Sequence, residues 1–124
     1  MAREAILIAD DHPDRGAARY VLEREGYAVD VVEGVEQARA LLAARVPDVL
    51  ILDCQSSCAD CRRMVGTLKA DPRTAGMPVV AFTACARLEN PCQACETAFD
   101  RTVPKGLTDQ LTATLDELLH GPVA

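Results

Sequence analysis

Val49-Leu50-Ile51-Leu52-Asp53 is the stretch on which the fold turns. Four consecutive aliphatic residues leave no polar face. Such a run suits a strand buried on both sides, as strands are in a parallel sheet covered by helices. One aspartate then closes it. Upstream, Ile6-Leu7-Ile8-Ala9 repeats the pattern and ends in Asp10-Asp11, and downstream Pro78-Val79-Val80-Ala81-Phe82-Thr83 repeats it again. Between these runs the apolar residues recur at helical spacing. Ala17, Ala18, Val21 and Leu22 share one helical face, with Pro13 suited to a first turn and Gly26 to a stop. Val35, Ala38, Leu41 and Leu42 mark a second helix that closes before Pro47. Cys61, Met64, Val65 and Leu68 mark a third, which must end by Asp71-Pro72 because the residue before a proline leaves the helical region. Tyr27 to Val32 reads as a second strand and Phe99 to Val103 as a fifth. A weaker helix is expected near Arg87 to Thr97, starting late or broken at Pro91. Leu107, Leu111, Leu115 and Leu118 form the stripe of a last helix.

Five strand–helix units in succession predict an α/β fold, a parallel sheet with helices on both faces, in one domain spanning residues 1–124. The chain has 124 residues, 49% of them hydrophobic, which is enough for one packed core and too short for two ordinary ones. Aromatics are only 3%, so Ala, Val, Leu and Ile must build that core. Asp plus Glu total 19 against 13 Lys plus Arg, a net charge of −6. An acidic surface has no general attraction for phosphate backbones, so direct contact with nucleic acid is not expected. No apolar run reaches the length of a membrane helix, and the N-terminus has no signal-peptide pattern. A cytoplasmic location without membrane contact is the expectation.

Folds of this class place ligands at the carboxyl ends of their strands. Asp10, Asp11 and Asp53 each fall at such an end. Crowded carboxylates repel one another unless a cation is present, and an all-oxygen set suits Mg²⁺. Thr83 and Lys105 also fall at strand ends, where a hydroxyl and an ammonium would suit the oxygens of a phosphoryl group. One aspartate after a strand is more often a helix cap. Five suitable groups at four strand ends describe phosphoryl transfer to a carboxylate.

On these residues the chain resembles the receiver domains of bacterial two-component response regulators over essentially its full length. Asp10-Asp11 matches the family's acidic pair, Asp53 its phospho-accepting aspartate, Thr83-Ala84 its switch step and Lys105 its phosphate-contacting lysine. Leu68 to Thr74 and Pro78-Val79-Val80 look like the family's third-helix exit and fourth strand. The resemblance implies a flavodoxin-like, doubly wound five-stranded sheet in the order 2-1-3-4-5. It implies Asp11, Asp53 and the backbone carbonyl of Gln55 as direct Mg²⁺ ligands, with Asp10 acting through water. It also implies transfer from a phosphohistidine on a sensor histidine kinase or phosphotransfer protein, with small phosphodonors as substitutes. The output would go to a downstream effector protein or an attached output domain. Such a domain does little chemistry beyond its own phosphorylation and hydrolysis. A stand-alone receiver and a part of a longer regulator fit equally.

Three features depart from that pattern. The usual Met-Pro after the acceptor is replaced by Cys54-Gln55. Lys105 lies in Pro104-Lys105-Gly106 rather than before a proline. Thr102 stands where an aromatic residue usually swings inward on activation.

Six cysteines set the chain further apart. Cys58-Ala59-Asp60-Cys61 and Cys92-Gln93-Ala94-Cys95 are paired C-x-x-C motifs, with Cys54 and Cys85 nearby. Four thiolates from Cys58, Cys61, Cys92 and Cys95 could hold tetrahedral Zn²⁺ or an iron–sulfur cluster. A redox role is a further reading, since a thiol at a helix N-terminus has a lowered pKa. Against both stands packing of small half-buried residues, which Cys61 favours by lying on the third helix's stripe. His12 is read as a solvated turn residue, and His120 as a favourable charge at a helix end.

Overall fold

The computed structural model describes residues 5–9, 16–53, 58–83, 99–104 and 108–121. Its elements, in chain order, are β1 (Ala5–Ala9), α1 (Gly16–Arg24), β2 (Ala28–Val32), α2 (Gly34–Ala44), β3 (Val49–Asp53), α3 (Cys58–Ala70), β4 (Val79–Thr83), β5 (Arg101–Pro104) and α4 (Thr108–His120). The five strands form one parallel sheet in the order β2-β1-β3-β4-β5. The weaker helix expected near Arg87 to Thr97 lies outside the described residues.

Alternation along the strands sorts the core into two layers. Ile6, Ile8, Val49, Ile51, Val80 and Phe82 pack with Ala18 and Leu22 of α1 and Leu111 and Leu115 of α4. Leu7, Ala9, Leu50, Leu52, Val79 and Ala81 pack on the other side with Ala38 and Leu42 of α2 and Met64, Val65 and Leu68 of α3. All four aliphatic residues of the opening stretch are fully buried.

The connections explain themselves locally. Gly26 has φ +96°, and around it Gly26 N–H donates to the Glu23 carbonyl while Tyr27 N–H donates to that of Leu22. This Schellman pair ends α1, and Tyr27 and Leu22 meet in the core, the apolar contact that accompanies such a stop. Tyr27 is thereby taken into the turn, so β2 starts one residue later than the pattern suggests. The Arg73 guanidinium donates to the carbonyls of Leu42 and Ala43, tying the end of α2 to the turn after α3.

β5 also starts late, at Arg101 rather than Phe99. The reason is Asp100. Its carboxylate accepts the Val79 N–H at 2.7 Å and the Lys69 ammonium at 3.0 Å, while its own N–H donates to the Val79 carbonyl. A side chain therefore does locally what the ladder would otherwise do. Phe99 leaves the sheet and is buried on the α3 side.

Candidate functional site at the strand tips

In this topology the chain turns one way from β1 to β2 and the other way from β3 onward. The crevice outside the carboxyl ends of β1 and β3 is the switch point where such folds bind ligands. The register places the candidate residues around it. Ala9, the last residue of β1, is opposite Leu52, and Asp53 follows as the last residue of β3. Asp53 is opposite Phe82, Thr83 closes β4, and Thr83 is opposite Pro104, the last residue of β5.

Four adjacent tips thus lie in a row, with neighbouring strands separated by about 4.8 Å. Asp53 and Thr83 are placed there by their backbones. Asp10, Asp11, Gln55 and Lys105 lie outside the described residues. In the sequence Asp10 directly follows Ala9 and Lys105 directly follows Pro104. His12 is likewise outside the description, and His120 is the last residue of α4.

The scaffold behind the tips is dry and tied down. Val49, Leu50, Ile51 and Leu52 of β3 and Val79, Val80 and Ala81 of β4 have no measurable exposure. At the opposite ends of the strands, Asp48 accepts the Ala5 N–H at 2.7 Å while its own N–H donates to the Ala5 carbonyl. This locks β1 against β3 from below. The Lys69–Asp100 tie does the same for β4 and β5, with the Lys69 ammonium also donating to the Met77 carbonyl at 3.0 Å. None of these tethers was read from sequence. Each rests on charged residues, Asp48 and Asp100 just before a strand and Lys69 in the last turn of α3, a signal shared with ordinary surface positions.

Thr102 sits opposite Ala81 on β5 and is half-buried, so a small residue occupies the place of the usual aromatic. The first C-x-x-C is resolved in kind: Cys58 to Cys61 is the opening turn of α3 rather than a free loop. Cys54, Cys85, Cys92 and Cys95 lie outside the described residues. Among the described residues no three His, Cys, Asp or Glu side chains gather as a metal centre would require. The possible Zn²⁺ or iron–sulfur site gains no support, and two of its four thiols, Cys92 and Cys95, are among the residues not described.

A concavity of about 460 Å³ lies between α1 and α4, with Val21, Arg24, Asp109, Thr112 and Asp116 among its walls. Thr112 Oγ1 is buried there without a hydrogen-bond partner among the described residues. No pattern in the sequence pointed to it. Among the described residues no helix is long and apolar enough to cross a membrane.

Fold and tips together define a doubly wound α/β domain in which Asp53 ends β3 beside the switch point. Residues 6–116 match the response regulator receiver domain, and the chain belongs to that family. It is 32% identical over 119 residues to a 14.6 kDa protein of Leptolyngbya boryana, covering 95% of this chain and 85% of that one. It is 31% identical over 122 residues to the phosphate regulon transcriptional regulatory protein PhoB of Pseudomonas aeruginosa, covering 97% of this chain. The chain spans only 53% of that regulator's length.

Among solved structures, it superimposes with a TM-score of 0.81 on the receiver domain of a Pseudomonas aeruginosa sensor histidine kinase. That match has 23% identity and covers 96% of this chain and 99% of the other, which has a magnesium ion in its active-site cleft. A response regulator, TrrA, solved in complex with the histidine kinase ThkA matches with a TM-score of 0.78 and 24% identity, covering 94% and 99%.

Proposed function

We propose that Asp53 of this receiver domain accepts a phosphoryl group and that the modified domain switches a signalling partner. The observation that carries this reading is the register. Asp53 ends β3 beside the tip of β1, to which the Asp10-Asp11 pair is attached, and Thr83 ends the next strand beside the tip that leads into Lys105. Residues 1–124 are taken as one such domain, located in the cytoplasm.

The donor set fits Mg²⁺. Three carboxylates and a backbone carbonyl are hard oxygen ligands, and without a cation their charges oppose one another. Asp11, Asp53 and the Gln55 carbonyl would hold the ion directly and Asp10 through water. When bound, Mg²⁺ would neutralise the carboxylates and the oxygens of the phosphodonor. A carboxylate oxygen of Asp53 then attacks phosphorus, and the donor's imidazole or acetate departs with the bonding electron pair. The Thr83 hydroxyl donates a hydrogen bond to a phosphoryl oxygen, and the Lys105 ammonium balances the charge that remains. The modified aspartate carries nearly two negative charges, and satisfying them is what moves the surrounding loops.

A sensor histidine kinase or phosphotransfer protein is the natural donor, a reading supported by the neighbour held in a kinase complex. The output goes to an effector protein or an attached output domain, supported by the longer regulators the chain matches. Incubation with acetyl phosphate and Mg²⁺ tests the core of the reading. Intact mass should rise by one phosphoryl group in the wild type and not in Asp53→Ala. Labelling that persists in Asp53→Ala refutes the assignment.

A further inference from the structure

We propose that the α1–α4 face is a weak self-association surface, on which Tyr20 of each copy enters the hollow between α1 and α4 of the other. Nothing in this depends on the reading of Asp53. It starts from a projection and a recess on one face. Tyr20 is 64% exposed, the more exposed of the two large hydrophobic side chains that stand out among the described residues. A lone exposed hydrophobic residue is ordinary. Tyr20 differs in what lies beside it. One turn on, the Arg24 guanidinium sits 5.7 Å from the ring centroid, and Arg24 is also a wall of the hollow. The stacked guanidinium restrains the ring, so docking the ring costs less conformational entropy.

The recess suits that projection in size and chemistry. Its volume is about 460 Å³, with Val21 and Ala113 giving apolar surface and Glu25, Asp109 and Asp116 giving acid. Arg24, Glu25, Asp109 and Ala113 are exposed, so the hollow opens to solvent. Asp116 is held in place by the Tyr27 hydroxyl, which donates to its carboxylate. A ring that arrives with a cation on its face buries apolar area in such a recess and brings the guanidinium to carboxylates.

The occupant is a second copy because this chain carries both halves of the match. Ring and recess are adjacent on one face. An isologous interface requires that arrangement, since the same patch on both copies must meet itself. On opposite faces the same two features would join copies head to tail without closing. With a two-fold axis between ring and recess, Tyr20 meets the partner's Val21 and the partner's Ala113. Arg24, carried beside the ring, meets the partner's Asp109 and the partner's Asp116, and the reverse contacts repeat both. The face is small, because α1 has 9 residues and α4 has 13, roughly 14 and 20 Å of helix. The pair should therefore be weak, with a dissociation constant on the order of 100 μM.

Sedimentation velocity of the full chain from about 10 μM to about 1 mM spans that constant. A reductant is present so that none of the six cysteines links copies. The mean mass should rise from one chain toward two. A single-chain mass throughout overturns the proposal, whatever other protein docks on this face. Tyr20→Ala removes two rings from each pair, at about tenfold in affinity each, and should stay monomeric across the series. Unchanged pairing in Tyr20→Ala puts the contact on another face and overturns the assignment. Arg24→Glu and Asp109→Arg each set like charges against one another and should be monomeric alone, while their equimolar mixture should pair again. Pairing of either variant alone, or no pairing in the mixture, overturns the two-fold arrangement. Both positions are exposed, and a thermal unfolding transition shows that each variant is folded. Should Asp109→Arg not fold, the wild-type series and Tyr20→Ala decide by themselves.

Discussion

Thr74 shows how one residue can hold a helix end that its own sequence has undercut. In a continuing helix the Leu68 carbonyl would accept the N–H of residue 72, but residue 72 is proline and has none. The Asp71 N–H reaches that carbonyl only at 3.3 Å. The Thr74 hydroxyl supplies the better bond, at 2.6 Å, from a side chain that is 2% exposed. Thr74→Val keeps the shape and removes the donor, leaving a buried carbonyl poorly satisfied. The expected loss is about 1–3 kcal/mol, read as a lower urea midpoint with an unchanged slope. Nothing in the local pattern announces this role, because Thr in a turn is ordinary and only the tertiary burial makes its hydroxyl matter. Asp100 is similar. Its residue type argues for a turn, and the apolar Phe99 beside it argues for a strand. Only the position of Val79, brought from a distant part of the chain, decides between them. By contrast, the place of Asp53 could be read directly, since four aliphatic residues before it mark a buried strand that it closes.

At the scale of elements, α4 illustrates which parts of a stripe carry energy. Leu111 and Leu115 are fully buried against β-strand residues of the α1 side, while Leu118 is only partly buried at the edge of the same cluster. Leu115→Ala should cost about 2–5 kcal/mol by lost transfer energy and the cavity left behind, and Leu118→Ala distinctly less. Chemical denaturation of the two variants in parallel checks this, and a larger loss at Leu118 would contradict the packing. Helical spacing identified all three positions but could not rank them, because the spacing fixes a face and not its depth. The strands were more fully legible. Parallel strands buried on both faces must be apolar throughout, so β1, β3 and β4 declared themselves, whereas β5, shorter and polar at Arg101 and Thr102, was displaced by two residues at its start. The opening of α3 lay between these cases. A C-x-x-C suits a loop knuckle and a first helical turn alike, and only the backbone shows the helix beginning at Cys58.

For the molecule as a whole, the strand tips set function against stability. The chain already carries 19 acidic against 13 basic residues, and the proposed site concentrates three of the acids at the carboxyl ends of β1 and β3. With no cation bound, their mutual repulsion opposes folding, by about 1 kcal/mol for a pair about 4 Å apart in bulk water and about 4 kcal/mol at an effective dielectric of about 20. Removing one charge should therefore help the metal-free protein and harm the loaded one. In a chelator, Asp11→Asn is expected to unfold at a higher temperature than the wild type. With Mg²⁺ at one hundred times its dissociation constant, the wild type should gain roughly 2.7 kcal/mol from binding to the folded state alone, and Asp11→Asn should gain little. The two stability curves must then cross as Mg²⁺ is raised. A uniform penalty for Asp11→Asn at every Mg²⁺ concentration would mean that Asp11 serves the fold as a turn or cap residue. A crossing is the behaviour expected of a carboxylate retained for its ligand in spite of its neighbours.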